Sequence, residues 1–303
     1  MTKYLIKRVL LAIVSVFIVS AITFFAMETI PGGPFNKEKA TSPEAKKVLE
    51  ERYNLDKPVT TQYVLYMGNV LHGDWGVSLK TGRDIWTDIT SKFAVSAKLG
   101  GTAAILAIIV GIILGSIAAL TRNKLPDRLI VFFTTLGTAM PSFVLATLLL
   151  LVFCLELKWV PVWSSSNPNY ILPVIALSVY PMAYITRLTK TSMLDALNQD
   201  YVRTARAKGV SRAKVIFMHA LRNALIPVIT YVGPMVAYIL TGSMVVESIF
   251  TIGGLGSSFV TSITNRDYTT IMATTLFLAI LMVVANLITD IAYKLVDPRI
   301  TFR

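Results

Sequence analysis

The sequence predicts an all-α integral membrane protein with six membrane-spanning helices. Of its 303 residues, 54% are hydrophobic and only 15% are charged, which is more apolar surface than a soluble domain can bury. The apolar residues also form runs without any charged residue or histidine, and these runs reach about the 20 residues that cross a bilayer as a helix. Five such runs cover 9–27, 99–121, 129–155, 223–246 and 268–289.

Two spans need separate arguments. The first run follows Lys3, Lys7 and Arg8 and so resembles a signal peptide, but it is longer than a signal core and no small-residue cleavage site ends it. We therefore expect a retained first helix over 9–30. One further run, 170–186, is the fourth span in chain order. It is shorter than the other five and contains two prolines.

Lysine and arginine residues predict the orientation, because short cytoplasmic loops carry an excess of them. They concentrate in the N-terminus 1–8, in 122–128, in 187–222 and at the C-terminus, which predicts that both termini lie in the cytoplasm. In the extracytoplasmic segment 31–98, basic and acidic residues nearly balance. The net charge of +12 does not indicate a nucleic-acid partner, since the basic residues form no single stripe interleaved with aromatic residues.

The core domain, 99–303, therefore holds five spans. The uncharged stretch 248–265 is not predicted to span, because its glycines interrupt a helix and a seventh span would place the basic C-terminus outside. We expect an outer or partly re-entrant loop over 247–267.

Proline and small residues predict local features of the spans. Pro141 should kink the third helix, and Pro227 and Pro234 the fifth. The second helix carries a small residue at every fourth position, which favours ordinary close helix packing. These small residues are Ala107, Gly111, Gly115 and Ala119. The single cysteine, Cys154, is interpreted as a small apolar group.

The cytoplasmic loop 187–222 is longer than a connection requires. Asp200 is predicted to cap a helix over 201–208, Gly209 to end it in the left-handed conformation, and Ser211 to cap a second helix from Arg212 into the fifth span. An amphipathic helix resting on anionic lipid is the alternative. A fixed glycine corner favours a docking element for a cytoplasmic protein.

The segments DYVRTARAKG at 200–209 and HALRNALIP at 219–227 resemble the conserved cytoplasmic loop of binding-protein-dependent ABC importer permeases. The likeness continues over nearly the whole chain and is greatest to the peptide and nickel branch, particularly its B-type oligopeptide subunits. It is carried by PGGPF at 31–35, NLDKPV at 54–59, HGDWG at 72–76, TGSMVVE at 241–247, NRDY at 265–268 and DPR at 297–299.

This resemblance implies the type I importer fold, a location in a bacterial inner membrane and a set of partners. These are a second homologous permease subunit, two cytoplasmic ATPases that hold ATP and magnesium, an extracytoplasmic peptide-binding protein, the peptide and membrane lipid. The loop residues expected to couple to the ATPase are Arg203, Thr204, Ala205, Lys208, Gly209, Ser211 and Arg212. Arg203 stands where the general motif has a glutamate, so an ion pair through that glutamate does not carry over.

The chain itself has no phosphate-binding loop and no common hydrolase or metalloprotease motif, so we expect no enzyme activity, cofactor or metal in it. Acidic residues near membrane depth are candidates for function, namely Glu28, Glu156, Glu247 and Asp290, the last paired with Lys294. Residues expected along the translocation path or gate are Pro141, Pro234, Glu247, Gly253, Gly254 and Gly256. Dipeptide or nickel import, or secondary transport, remain alternatives to oligopeptide import.

Overall fold

The computed structural model describes residues 2–29 and 56–296. Within these ranges the chain is helical, with one isolated bridge between Val77 and Asp84. The helices are α1 (Thr2–Glu28), α2 (Val59–Leu71), α3 (Ile85–Leu120), α4 (Leu125–Ala139), α5 (Ser142–Leu149, continued by a π-helical segment, Leu150–Glu156), α6 (Ile171–Leu197), α7 (Asp200–Ala207), α8 (Arg212–Lys214, a π-helical segment Val215–Leu221, and Arg222–Leu240), α9 (Met244–Ile249), α10 (Leu255–Asn265) and α11 (Tyr268–Val296).

Five stretches of helix in the described residues are long and apolar enough to cross a membrane. They lie in α1, α3, α6, in α8 together with α9, and in α11. Helices α4 and α5 pass the same test only together, and they meet at an angle of 103°. Counting this bent pair as one span gives the predicted six. Pro141, which precedes α5, therefore marks a sharp break in the helix and not a mild kink.

Helix α3 is the central element, and it packs most extensively against α6. The small residues that the sequence predicted as a packing face are all buried in this contact region: Ala107, Gly111, Gly115 and Ala119. A Cβ atom added at Gly115 would lie 2.6 Å from the Thr186 carbonyl oxygen. Because that oxygen belongs to the backbone of α6, only glycine lets the two helices approach this closely.

Two glycines of α3 provide a matched test of this packing. Gly115→Ala should destabilise the protein by about 1–3 kcal/mol, since an extra methyl group in a filled contact forces the backbone to move. Gly101→Ala should leave the stability unchanged or raised, because nothing lies within 4 Å of an added Cβ there and alanine is the better helix former. Thermal unfolding of the two purified variants in detergent measures the difference, and equal melting temperatures would contradict the packing argument.

Helix α1 lies at the edge of the bundle, and only 6% of the residues in its apolar stretch are buried. It packs against α11, and Arg8 lies 3.2 Å from Asp290 across this contact. Asp290 was expected to pair with Lys294, whose side chain lies outside the described residues. At the other end of α1, the Ser20 hydroxyl is 2.7 Å from the Tyr63 hydroxyl of α2, and this bond attaches the segment before α3 to the bundle.

Several predicted boundaries differ from the structure. Helix α3 begins at Ile85 and not near 99, because Asp84 accepts hydrogen bonds from the Thr87 amide and hydroxyl and so caps the helix. These bonds also hold the pKa of the Asp84 carboxyl below its usual value. The motif at 31–35, the first two residues of that at 54–59 and the motif at 297–299 lie outside the described residues.

Helix α6 extends to Leu197 and not to 186, so the predicted cytoplasmic loop begins at 198. The charges that suggested a loop are accommodated within the helix. The Lys190 ammonium group forms an ion pair with Asp127 of α4 at 2.5 Å, and the Arg187 guanidinium donates a hydrogen bond to the Thr135 hydroxyl at 2.9 Å. Pro181 is also contained within α6.

The predicted outer loop over 247–267 is instead mostly helical. We call residues 244–265 the Glu247 hairpin, which consists of α9, a connection over 250–254, and α10. The glycines do interrupt the helix, as expected, but Gly254 stands at the N-cap of α10 and the chain is helical on both sides. Arg266 ends α10 in the left-handed conformation with φ 56°.

Candidate functional site

The 198–221 segment, which we call the basic loop, forms a helix, a tight corner and a second helix. Helix α7 ends at a corner in which the Gly209 amide donates to the Arg206 carbonyl and the Val210 amide donates to the Ala205 carbonyl. Gly209 has φ +74°, so the predicted left-handed glycine is confirmed. The predicted cap is wrong, since Gln199 occupies the N-cap position and Asp200 is the first helical residue. Ser211 does stand at the N-cap of α8, without a side-chain hydrogen bond.

A small apolar core holds the corner in shape. Val202 and Ala205 of α7 pack against Val215 of α8, with Val210 of the corner beside them. Val202 is 0% exposed and Ala205 is 7% exposed. Ala205 was expected among the residues that couple to an ATPase, but its side chain lies inside the loop, where it shapes the docking element and does not form its surface.

The remaining predicted coupling residues lie on the surface of the basic loop. Arg203, Thr204, Lys208, Gly209, Ser211 and Arg212 are all exposed. Arg203 lies 3.5 Å from Asp200, with both side chains well exposed, and a surface pair of this kind contributes little stability. The loop therefore presents several cations to solvent on a rigid corner. Its Arg206 and Arg212 also line a cavity of about 470 Å³ against the ends of α3 and α6.

Helix α8 connects this corner to the opposite side of the bundle. It is helical from Arg212 to Leu240, with a π-helical segment over Val215–Leu221 and with Pro227 and Pro234 inside it. Two residues after the end of α8, Gly242 has φ +91° and begins the connection to the Glu247 hairpin. If the basic loop moved along the axis of α8, the helix would carry that movement as far as Leu240, close to the start of the Glu247 hairpin.

Glu247 is wholly buried, with 0% of its surface exposed. Its carboxyl group accepts a hydrogen bond from the Ser96 hydroxyl of α3 at 2.7 Å and one from the Ser257 amide of α10 at 3.0 Å. The Ser96 oxygen in turn accepts a hydrogen bond from the Leu255 amide at 2.8 Å. Ser96 and Glu247 thus join α3, α9 and α10 in one buried polar cluster, in which each of these bonds is protected from water.

Three glycines make room for the Glu247 carboxyl group. An added Cβ would lie 2.5 Å from its Oε2 at Gly254, 3.0 Å from Oε2 at Gly256 and 3.0 Å from Oε1 at Gly242. Gly253 differs, because only the Trp163 ring comes as near as 4.0 Å. The glycines at 254 and 256 are therefore explained by close packing around a carboxyl group.

The structure brings only part of the predicted gate together. Glu247, Gly254 and Gly256 form the buried cluster, while Pro234 lies in α8 and Pro141 lies at the break between α4 and α5. Glu247 forms no ion pair with Arg266 or with any other residue in the described ranges. Its role in gating stays a prediction, but in this conformation the carboxyl group has no access to a peptide.

Sequence reasoning missed Ser96 and Gly242, which complete the cluster. Ser96 lies in α3 more than a hundred residues before Glu247, and a single serine near the end of an apolar run carries no signal of its partner. Gly242 belongs to the segment 241–247 that carries part of the family resemblance, so its closeness to Glu247 in the sequence is a signal that could have indicated a tight turn.

The comparisons with known proteins agree with this architecture. The family model "Binding-protein-dependent transport system inner membrane component" matches residues 111–302, and the model for the N-terminal part of such components matches residues 1–100. The chain is 46% identical to the dipeptide transport system permease protein DppB of Bacillus subtilis (strain 168), covering 99% of this chain and 98% of that protein. It is 42% identical to the oligopeptide transport system permease protein OppB of Haemophilus influenzae, covering all of both chains.

A solved structure supports the fold alone. The crystal structure of an amino acid ABC transporter with histidines has a TM-score of 0.55, with 14% sequence identity over 69% of this chain and 94% of that one. The fold is that of a type I ABC transporter permease. With both family models together spanning nearly the whole length, the chain belongs to the family of binding-protein-dependent transport system inner membrane components.

Proposed function

We propose that this chain is one of two permease subunits of an ABC importer for peptides, in which separate subunits hydrolyse ATP. The observation that carries the proposal is the basic loop, a rigid helical corner that presents cations to solvent and continues directly into a membrane-spanning helix. Such an element can transmit the movement of a docked protein into the bundle, and simple anchoring in a membrane would not require it.

The partners in this proposal are two cytoplasmic ATPases with bound ATP and magnesium, a second homologous permease and an extracytoplasmic peptide-binding protein. Both chain termini and the basic loop would then face the cytoplasm, and the Glu247 hairpin would face outward. The concentration of lysine and arginine in the basic loop supports this orientation.

Oligopeptides and dipeptides are equally supported as the substrate. The named relatives at 46% and 42% identity are a dipeptide and an oligopeptide permease, and these values are too similar to separate the two classes. Selection by length is expected to reside in the binding protein.

The proposal is tested by uptake in a strain from which this gene alone is deleted. We expect the deletion to abolish import of radiolabelled di- or tetrapeptides and plasmid-borne expression to restore it. An affinity-tagged chain, purified in mild detergent, should bring with it ATPase subunits that carry phosphate-binding loops. Unchanged uptake of both peptide lengths, or a chain that purifies without any ATPase, would contradict the proposal.

A further inference from the structure

Helix α6 has an exposed face that is unusual for a helix at membrane depth. Between its buried positions 172 and 193, the exposed residues are Tyr180, Tyr184, Arg187 and Thr191. They follow each other at helical spacing and form one stripe, and every one of them has a polar group. The apolar residues of α6 are turned toward the neighbouring helices instead, so this helix is inverted relative to one that faces lipid.

Helix α8 continues the same face. Its exposed residues from 223 to 238 are polar or proline apart from Ile226, namely Asn223, Pro227, Thr230, Pro234 and Tyr238. Tyr231 of α8 packs against Tyr184 of α6 with ring centroids 4.3 Å apart, so the two stripes adjoin.

Other helices of the same bundle show what a lipid-facing stripe looks like here. The exposed residues of α3 between 103 and 117 are Ile105, Ile109, Ile113 and Ile117. Those of α11 between 280 and 291 are Ile280, Val284, Ile288 and Ile291. Both stripes consist of β-branched apolar side chains alone. The difference from α6 and α8 is therefore a property of that face and not of the protein's whole surface.

The positions of Tyr184 and Tyr231 along their helices argue against an interfacial aromatic belt as the explanation for these two residues. Tyr184 lies about 20 Å along α6 from its start at Ile171, near the middle of the 27-residue helix. Tyr231 lies near the middle of Arg222–Leu240. Aromatic belts lie at the two membrane surfaces, where the hydroxyl reaches water. In the hydrocarbon core an exposed hydroxyl or carbonyl without a partner costs several kcal/mol.

We propose that Tyr180, Tyr184, Tyr231 and Tyr238 line the aqueous path through which the peptide passes, and we call this surface the tyrosine face. The inference rests on the proposed function and names the site within it. Aromatic rings accept apolar side chains and peptide planes, while the phenol groups can donate hydrogen bonds to, and accept them from, the peptide backbone of any sequence.

The charge of this face fits the same occupant. From 171 to 186 in α6 and from 223 to 240 in α8 no residue is charged. Arg187, at the cytoplasmic end of the predicted span, donates a hydrogen bond to the Thr135 hydroxyl. A neutral face holds neither acidic nor basic peptides strongly, and conduction requires binding weak enough for release. Two other occupants, lipid and direct contact with the second permease subunit, predict a face closed to water.

Cysteine labelling separates these occupants, and Cys154 is the only native cysteine to replace first. In a Cys154→Ala background within the complete transporter, Tyr180→Cys and Tyr184→Cys are compared with the matched lipid-face variants Ile109→Cys and Ile113→Cys. A charged methanethiosulfonate reagent reacts with the thiolate, which forms only in contact with water, so we expect labelling at least about tenfold faster at the two tyrosine positions. A cycling transporter supplied with peptide should label more slowly at Tyr184→Cys.

Equal, slow labelling at all four positions would overturn the inference, because the face would then be covered by lipid or by the second subunit. Labelling at Tyr184→Cys that peptide leaves unchanged would also overturn it, since the face would be wet but not on the peptide's path. Both results are compatible with normal peptide uptake by the Cys154→Ala transporter. The failure of this inference is therefore distinguishable from failure of the proposed function, in which uptake would not depend on the chain.

Discussion

Replacing Gly209 by valine should abolish most peptide uptake while the protein remains folded in the membrane. Gly209 has φ +74° at the corner of the basic loop, with nothing within 4 Å of an added Cβ, so the effect comes from the backbone and not from a clash. A β-branched residue resists this conformation at a cost of about 1–2 kcal/mol. The cheapest relief is to open the corner, which separates Val210 and Ala205 and turns α7 away from α8.

Two comparisons make this prediction specific. Gly82→Val introduces the same strain at φ +66°, also in open space, but on the opposite side of the bundle, and it should leave coupling intact. Gly209→Asn should retain most uptake, since asparagine tolerates the left-handed region better than other non-glycine residues. Uptake and ATP hydrolysis are measured together in reconstituted transporter. Normal peptide import by Gly209→Val, or an equal loss in Gly82→Val, would show that the corner does not couple the two processes.

The sequence predicted the fold class and the corner of the basic loop well, for physical reasons that are local. Uncharged runs of about 20 residues become helices in a membrane because a helix satisfies its backbone hydrogen bonds within its own segment. The left-handed conformation of Gly209 is predictable from the local sequence, since the residues before it end one helix and the residues after it begin another. These signals need no knowledge of what the segment packs against.

Boundaries set by tertiary contacts were not predictable in the same way. The charges at Arg187 and Lys190 suggested a loop, but α4 supplies Thr135 and Asp127 as partners, so helix α6 continues for about three more turns. The Glu247 hairpin was predicted as a loop because its glycines seemed to forbid helix, whereas two of them make room for a buried carboxyl group. Both errors arose because the deciding partner lies far away in the sequence.

The part of the tyrosine face that belongs to α6 has a signal in the sequence, but the predictions above did not include it. Tyr180, Tyr184, Arg187 and Thr191 have helical spacing, and a helical projection of the fourth span would have placed them on one side. The mean hydropathy of a span does not show this polar stripe, because tyrosine is counted among the hydrophobic residues. Which side of the helix remains uncovered could be decided only by the packing of α6 against α3 and α8.

Glu247→Ala should be among the most destabilising single substitutions in the described part of the chain. Truncation removes the acceptor for the Ser96 hydroxyl and the Ser257 amide, and each buried donor left without a partner costs about 1–3 kcal/mol. It also leaves a cavity bounded by Gly242, Gly254 and Gly256, which have no side chains to fill it. The two unpaired donors and the cavity together should cost about 3–5 kcal/mol, with poor assembly as a consequence. Glu156→Ala is the matched control, because Glu156 is an exposed glutamate in the same membrane protein.

Glu247→Gln distinguishes anchoring from gating by a charge. The glutamine side chain keeps the size of glutamate, and its carbonyl oxygen can still accept a hydrogen bond from the Ser257 amide. Its amide NH2 group can donate to the Ser96 oxygen, because the Ser96 hydroxyl hydrogen can rotate away. If Glu247 anchors the hairpin to α3, the Gln variant should keep most of the thermal stability and most of the uptake, and only the Ala variant should lose both. If the carboxyl group instead gates the path by its charge, Glu247→Gln should lose uptake while its melting temperature in detergent stays close to that of the unmodified protein. The complete burial of Glu247 favours the first result, since a group that acts on a passing peptide through its charge would have to leave two hydrogen bonds and the space formed by three glycines in every transport cycle.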